Sequence, residues 1–341
     1  MTSWELVQNT MNFKNYHDRA PRDLWDLPWA ERYEAEGLKH IRDSFKMDYS
    51  GPRTVYREQS SVKQGVAHEI GKCVDEWGCI WTNLQYGVVG EIKDPLVTDD
   101  DWEDTSRVVF PEELLSFDIE QVNASCAEKH ERYLYSGYGV RPFERLQFIR
   151  GTANLYMDLT DPPPKMLEFM EKLHDFYCRL MLKWAQTDVD CLMMLDDWGS
   201  QRSLLISPEM WRKYFKPMYR DYIDIAHKHG KTIRMHSDGY ILDIIPDLID
   251  MGLDTLNAQL FCMGVENLAQ FKGKITFYGE ICRQKLLPFA SVEEVRNAVR
   301  SVFDNLWDNG GCIAQCEFGP AAKPENVFAV FDTWDQLTAG R

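Results

Sequence analysis

The sequence predicts an α/β protein, a (β/α)8 TIM barrel formed as one domain by residues 1–341, with residues 1–50 as an N-terminal helical extension. From about residue 190, short apolar segments alternate with amphipathic helical segments, and at least five such units follow one another. Strands that alternate with helices pair in parallel through right-handed crossovers. An open doubly wound sheet is the alternative, but no G-x-G-x-x-G motif between a first strand and helix supports the dinucleotide site of that fold.

The second half of the chain carries the clearest secondary-structure signals. Strands are predicted over the apolar runs 190–195, 231–236, 254–260, 275–281 and 312–316. Helices are predicted over 207–230, 240–252, 266–273, 291–307 and from 323 onward. Pro217 should kink the first of these helices, and an S-x-x-E capping box opens the helix at 291.

The first half is less regular, and the remaining strands must come from it. Strands are predicted within 22–27, 78–92 and 143–149. Helices are predicted around 32–46, 112–135 and 163–186. Together with the second half, these segments would complete the eight strands of a barrel.

Composition excludes several classes of protein. The formal net charge of −16 argues against a nucleic-acid-binding protein, which needs a basic face to neutralise phosphates. The N-terminus lacks the apolar core of a signal peptide, and no apolar run approaches the length of a membrane span, so a cytoplasmic protein without membrane contact is predicted. The nine scattered cysteines are an odd number and are expected to be reduced thiols. Whether the chain forms a homodimer is left open.

The chemistry of such a barrel lies where its strands end, at the carboxyl-terminal mouth. His236 and Asp238 are two positions apart, so their side chains would point the same way, and Cys316 would face them from the last strand. Three protein ligands with an open position are what catalytic zinc requires. The alternative is structural, because a histidine at a strand end is often only hydrogen-bonded and a free cysteine is usually a small buried side chain.

Two carboxylates near the predicted mouth are candidates for acid–base work. Glu280 follows a buried strand, where an unpaired carboxylate is costly, so it is a candidate fourth ligand or proton carrier. Asp197, beside Asp196, could belong to an acid–base pair or a second metal site, although one aspartate of the pair could equally cap the turn into a helix.

Aromatic and amide side chains near the same ends are candidates for binding a flat substrate. They are Trp81, Trp198, Tyr278 and Gln259. Most aromatic residues, which make up 13% of the chain, should nevertheless pack in the core.

The strings "MMLDDWGSQRSLLISPEMWRKYFKPMYR", "MHSDG", "LNAQ", "YGEI" and "CEFGPAAKPENV" resemble the uroporphyrinogen decarboxylase-like superfamily, particularly its corrinoid-dependent methyltransferase branch. The resemblance implies a (β/α)8 barrel preceded by N-terminal helices. The arginine-rich "RQAGR" segment of true decarboxylases is missing. In the methyltransferases a His-x-Cys pair and a distant cysteine bind zinc, and here His236 and Cys316 match that pattern, whereas Asp238 stands in place of the first cysteine.

That substitution implies a more Lewis-acidic metal, better suited to an oxygen than to a thiol. The chain therefore looks like the O-demethylase members, which pass a methyl group from a methoxylated aromatic to the Co(I) corrinoid of a partner protein. The resemblance implies Zn²⁺ on the three ligands, with Glu280 or Asp197 assisting the leaving oxygen. Alternatives are methyl transfer from the corrinoid to a thiol or folate, a metal-free lyase, and a corrinoid-binding module without catalysis.

Overall fold

The computed structural model describes residues 1–339 and contains a barrel of eight parallel strands with a separate three-stranded antiparallel sheet. The strands are β1 Arg22–Asp26, β2 Tyr49–Ser50, β3 Gly71–Val74, β4 Ile80–Asn83, β5 Glu91–Ile92, β6 Tyr133–Val140, β7 Cys191–Leu195, β8 Thr232–Ser237, β9 Thr255–Ala258, β10 Thr276–Tyr278 and β11 Cys312–Phe318. The barrel order is β1-β11-β10-β9-β8-β7-β6-β2, and β3, β4 and β5 form the second sheet. The predicted (β/α)8 fold is confirmed.

Helices surround the barrel. They are α1 Ser3–Met11, α2 Pro28–Tyr33, α3 Ala35–Ser44, α4 Ile119–Glu128, α5 Pro142–Arg150, α6 Thr152–Thr160, α7 Pro164–Ala185, α8 Pro208–Tyr214, α9 Lys216–Lys228, α10 Ile245–Asp250, α11 Leu260–Met263, α12 Val265–Leu268, α13 Leu286–Phe289, α14 Val292–Leu306 and α15 Pro324–Thr338. The helix predicted over 207–230 divides into α8 and α9 just before Pro217, and α14 has its predicted capping box. Within residues 1–339, no helix has both the length and the apolar character needed to cross a bilayer.

The barrel is joined between β1 and β2 and closed at its amino-terminal end. The Asp48 N–H donates to the Arg22 carbonyl at 2.9 Å, and the Arg22 N–H donates to the Asp48 carboxylate at 2.8 Å. On the floor, Val7 of α1 packs with Tyr49, Tyr133 and other buried side chains that include Tyr278. The floor is therefore filled with side chains, and the open mouth lies at the carboxyl-terminal ends of the strands.

Three predictions in the first half need correction. Residues 1–50 contain two barrel strands, β1 and β2, so only α1 extends the barrel at its N-terminus. The segment 143–149 lies in α5, which begins with Pro142, a residue preadapted to the first turn of a helix. The barrel strand is instead β6. Its first three residues were predicted as the end of a helix over 112–135, and the rest of the strand was not predicted. The segment 78–92 contains β4 and β5, outside the barrel.

The long connection between β2 and α4 carries the antiparallel sheet to the barrel mouth, where one cavity is lined by both parts of the chain. Asp75 organises this connection. Its carboxylate accepts hydrogen bonds from the backbone N–H groups of Trp77 and Cys79, from the Trp81 indole and from the Arg145 guanidinium of α5. The connection is thus fastened to the helix that follows β6.

Candidate active site at the barrel mouth

The end of β8 directs a histidine into the barrel. Along this strand Ile233 and Met235 are fully buried among the outer core side chains, so the alternation places Arg234 and His236 on the inner face. His236 Nδ1 donates to the Asn257 side-chain oxygen at 2.5 Å, and the Asn257 amide donates to Gln315 at 3.3 Å. This chain of hydrogen bonds fixes the imidazole and leaves Nε2 directed toward two carboxylates.

Asp197, His236 and Asp238 form a group that could hold a metal ion, because one ligand atom from each lies within 4.8 Å of the others. His236 Nε2 is 3.4 Å from Asp197 Oδ1 and 3.6 Å from Asp238 Oδ1. Among the described residues no hydrogen-bond partner reaches the buried Asp238 Oδ1. The group offers one nitrogen and two carboxylate oxygens, one of which is the unsatisfied Asp238 Oδ1. This set of ligand atoms fits a divalent cation.

The pKa values of His236 and Asp197 reflect the carboxylates and the imidazole that this group brings together. Burial lowers the pKa of His236, but Asp197 and Asp238 outweigh burial and raise it to about 9. Burial raises the pKa of Asp197, but the interactions with His236, the Asp238 N–H and Arg141 together outweigh burial and hold it below its usual range. A cation is therefore favoured at this position, whether a proton on His236 or a metal ion.

Arg283 connects the metal-binding group to two further carboxylates. Its guanidinium forms an ion pair with Asp238 and lies 3.4 Å from Glu280 Oε1 and 3.4 Å from Glu317 Oε2. Burial raises the pKa of Glu280 to about 8, although Arg283 lowers it. Sequence reasoning missed Arg283, and the available signal was a cation three residues after Glu280, the carboxylate that follows β10.

Cys316 does not join this group, and its predicted role as a metal ligand is corrected. The last strand continues to Phe318, with Gln315 bonded to Asn257 and Glu317 paired with Arg283 inside the barrel. The pleat therefore turns Cys316 to the opposite face, where it is fully buried in the outer hydrophobic core. Burial raises the pKa of its thiol, which disfavours the thiolate needed by a metal.

Two aromatic residues predicted to bind substrate are in the core instead. Trp198 is fully buried, stacks on Phe143 with ring centroids 3.9 Å apart and donates its indole N–H to Tyr219 at 2.7 Å. Tyr278 is 1% exposed on the barrel floor, where its hydroxyl accepts a hydrogen bond from Arg234 at 2.8 Å. Neither side chain is available to a ligand at the mouth.

The other predicted residues lie near the mouth. Gln259 and Glu280 line a cavity of about 340 Å³ beside Arg283, and Gln259 accepts a hydrogen bond from the Gly239 N–H at 3.2 Å. Asp196, the neighbour of Asp197, is fully buried and accepts from two backbone N–H groups at the start of α5 and from the Tyr219 hydroxyl. Asp196 is thus the capping residue of the pair, and Asp197 faces the site.

A larger cavity of about 460 Å³, hereafter the aromatic cavity, lies between the antiparallel sheet and the barrel mouth. Its wall includes Trp81, Tyr135, Tyr138, Phe148, Arg141 and Arg145. Trp81 and Phe148 meet edge to face with centroids 4.8 Å apart. The volume and the mixture of aromatic and charged groups are typical of a small-molecule site, and Trp81, a predicted substrate-binding residue, lies in this wall on β4.

Comparisons with known proteins agree with this architecture. A methyltransferase from Methanosarcina mazei has a similar structure, with a TM-score of 0.69 at 11% sequence identity, and the match covers 99% of this chain and 100% of that chain. An AP endonuclease of family 2 from Brucella melitensis matches at a TM-score of 0.35 and 15% identity over 65% of this chain and 85% of its own, which is too weak to bear on the fold. No curated protein matches the sequence.

The sequence itself matches a family description over residues 81–337, which include α5, six of the barrel strands and all the residues of the metal-binding group. At 11% identity, the structural likeness to the Methanosarcina protein establishes the fold alone. The family match rests on the sequence and spans most of the chain. The chain therefore belongs to the uroporphyrinogen decarboxylase (URO-D) family.

Proposed function

We propose that this chain is a methyltransferase that removes a methyl group from a methoxylated aromatic compound and passes it to the Co(I) corrinoid of a partner protein. A divalent metal ion, Zn²⁺, would be held by Asp197, His236 and Asp238. Family membership supports an enzymatic role, and the oxygen-rich ligand group supports the choice of an oxygen-bound methyl group. The observation that carries the proposal is this group of three ligand atoms with an unsatisfied buried oxygen on Asp238.

The donor atoms favour an ether over a thiol as the group that is activated. With Cys316 on the outer face of the barrel, the group contains no sulfur among the described residues. Carboxylate ligands leave a metal ion hard and Lewis-acidic, whereas thiolate ligands suit a metal that must keep a bound thiolate nucleophilic. When bound, the ion would supply Lewis acidity toward the ether oxygen.

The residues of the chain would perform the remaining tasks. Asn257 fixes the orientation of His236, and Arg283 holds Asp238 and Glu280 in place. Because its pKa is raised to about 8, Glu280 holds a proton at neutral pH and can donate it to the oxygen from which the methyl group departs. The aromatic cavity, with Trp81 and Phe148 in its wall, would hold the ring and exclude water.

The test is single-turnover methyl transfer followed at cobalt. The zinc-loaded chain is mixed with a Co(I) corrinoid protein and a methoxybenzene, and the absorption of methyl-Co(III) should develop only when all three are present. Glu280→Gln should slow the reaction by roughly 10²–10⁴-fold if the residue acts as a general acid. Methyl-Co(III) that is consumed by an added thiol, with none formed from methoxybenzenes, would favour the thiol alternative.

A further inference from the structure

The aromatic cavity carries positive charge in a chain that is strongly negative overall. Lys63, Arg141 and Arg145 in its wall are opposed there by Asp75 and Glu76. The Asp75 carboxylate is already engaged by two backbone N–H groups, the Trp81 indole and Arg145, which lies 2.8 Å away. The cavity thus presents more cationic than anionic groups, against a net charge of −16 for the whole chain.

Arg141 is a cation of this wall that, like the exposed Lys63, has no hydrogen-bond acceptor within residues 1–339. Its nearest anionic contact within residues 1–339 is Glu144 Oε2 at 3.7 Å, which is beyond hydrogen-bond length. Its side chain is 31% exposed and lines the aromatic cavity. A guanidinium is always charged and carries five N–H donors, so its donors are available to a ligand in the cavity.

Arg145 adds a second observation that points to an anion. Its side chain is only 4% exposed, and its buried Nε finds no acceptor in the described part of the chain. The guanidinium lies 5.3 Å from the centroid of the Phe148 ring, and both residues line the cavity. The single ion pair with Asp75 leaves this buried cation incompletely satisfied, so positive potential extends into the cavity.

We infer that the aromatic cavity binds an aromatic carboxylate, whose carboxylate group pairs with Arg141 and whose ring packs against Trp81, Phe148 and Tyr135. This inference rests on the proposed function and narrows its substrate to methoxylated aromatic acids. A planar guanidinium pairs with a carboxylate through two parallel hydrogen bonds. Aromatic walls contribute offset or edge-to-face contacts with the ring.

The nearby carboxylates argue for a ligand with one negative charge. The Glu76 side chain lines the cavity, and Glu144 lies 3.7 Å from Arg141, so a phosphate dianion would meet two repulsive neighbours. Lys63, Arg141 and Arg145 exceed Asp75 and Glu76 in the wall by one charge, which one carboxylate on the ligand balances. The cavity of about 460 Å³ lies within the usual range for small-molecule sites, which begins at roughly 300 Å³.

The inference is tested by equilibrium binding without corrinoid or turnover. Calorimetry compares 4-methoxybenzoate, its uncharged methyl ester and methoxybenzene on the wild-type chain and on Arg141→Gln, Arg141→Lys and Arg202→Gln. Arg202 is the matched control, because it is an exposed arginine outside the cavity wall. Arg141→Gln should weaken 4-methoxybenzoate binding by roughly 10–100-fold, the cost of a lost hydrogen-bonded charge, and leave the two neutral probes unchanged.

Each outcome has a defined meaning. Arg141→Lys should retain part of the affinity for 4-methoxybenzoate, and Arg202→Gln all of it. Unchanged binding of the neutral probes by Arg141→Gln shows that this variant is folded. Equal affinity of wild type and Arg141→Gln for 4-methoxybenzoate, or tighter binding of the neutral probes than of the acid, would overturn the inference. If the acid binds through Arg141 but no methyl group reaches cobalt, the inference stands and the proposed function fails. If neutral methoxybenzenes are demethylated equally well by the wild type and by Arg141→Gln, the proposed function stands and the inference fails.

Discussion

Asp197→Asn and Cys316→Ala distinguish the metal ligands seen in the structure from those expected from the sequence. Asp197 Oδ1 is 3.4 Å from His236 Nε2 and also accepts the Asp238 N–H at 2.8 Å, and an asparagine oxygen can keep the latter bond while losing the charge. Loss of an outer partner of a metal ligand costs roughly 10–100-fold in affinity, so loss of a charged ligand should cost about 100-fold or more, ~2.7 kcal/mol. Cys316→Ala should leave zinc affinity unchanged.

Competition with a chromophoric chelator measures both affinities. The Cys316 side chain is fully buried in the outer core, so its removal should lower the free energy of unfolding by about 1 kcal/mol, and urea unfolding shows whether the variant is folded under the assay conditions. The assignment of ligands would be refuted by a folded Cys316→Ala variant that loses zinc while Asp197→Asn retains it. Unchanged zinc binding in both variants would refute a metal site at this position altogether.

Three further predictions concern the surroundings of the site. Asn257→Ala removes the acceptor of His236 Nδ1 and should weaken zinc binding by roughly 10–100-fold, measured with the same chelator, whereas unchanged affinity would show that the hydrogen bond does not orient the ring. In metal-free protein, the stability of the wild type relative to Glu280→Gln should fall as pH rises from about 4.5 to about 8, by on the order of 5 kcal/mol, because over that range the unfolded chain releases the Glu280 proton while the folded chain, with its raised pKa, retains it. Urea unfolding at several pH values tests this, and a constant difference would contradict it. Trp198→Phe should lower the free energy of unfolding by about 2 kcal/mol with no change in substrate affinity, since it loses a buried hydrogen bond to Tyr219 and packing on Phe143; a large loss of affinity in a stable variant would return Trp198 to the substrate site.

The predictability of the fold followed the strength of the local signals. In the second half, apolar runs and helix caps identify β7 to β11 and α14 because each segment is buried or capped in the way its sequence indicates. β6 was missed because Gly137 and Gly139 interrupt it. Gly139 is needed where it lies, since a Cβ there would come within 2.7 Å of the Leu195 side chain on β7. A tertiary contact thus imposed a residue that weakens the local strand signal.

The candidate site was predictable where two residues lie close together along the chain and less so where strands must be compared. His236, in β8, and Asp238, just after it, were predicted as ligands from their spacing. Assigning Cys316 required knowing which residues of β11 face inward, and the pleat that decides this depends on the partners of Gln315 and Glu317 in distant parts of the chain. Arg283 lies in the loop after β10, where no periodicity indicates the direction of a side chain.

The net charge of the mouth is the strongest argument that it holds more than a proton. Four carboxylates, Asp197, Asp238, Glu280 and Glu317, meet there with one permanent cation, Arg283. Protonation of His236 and Glu280, whose pKa values are raised to about 9 and about 8, offsets part of the excess, but a proton on His236 occupies the nitrogen that a metal would take. A divalent ion would supply two charges at once and replace the proton on His236. Zinc binding to the metal-free chain at pH 7 should therefore release protons into solution, and calorimetry in buffers of different ionisation enthalpy would count them.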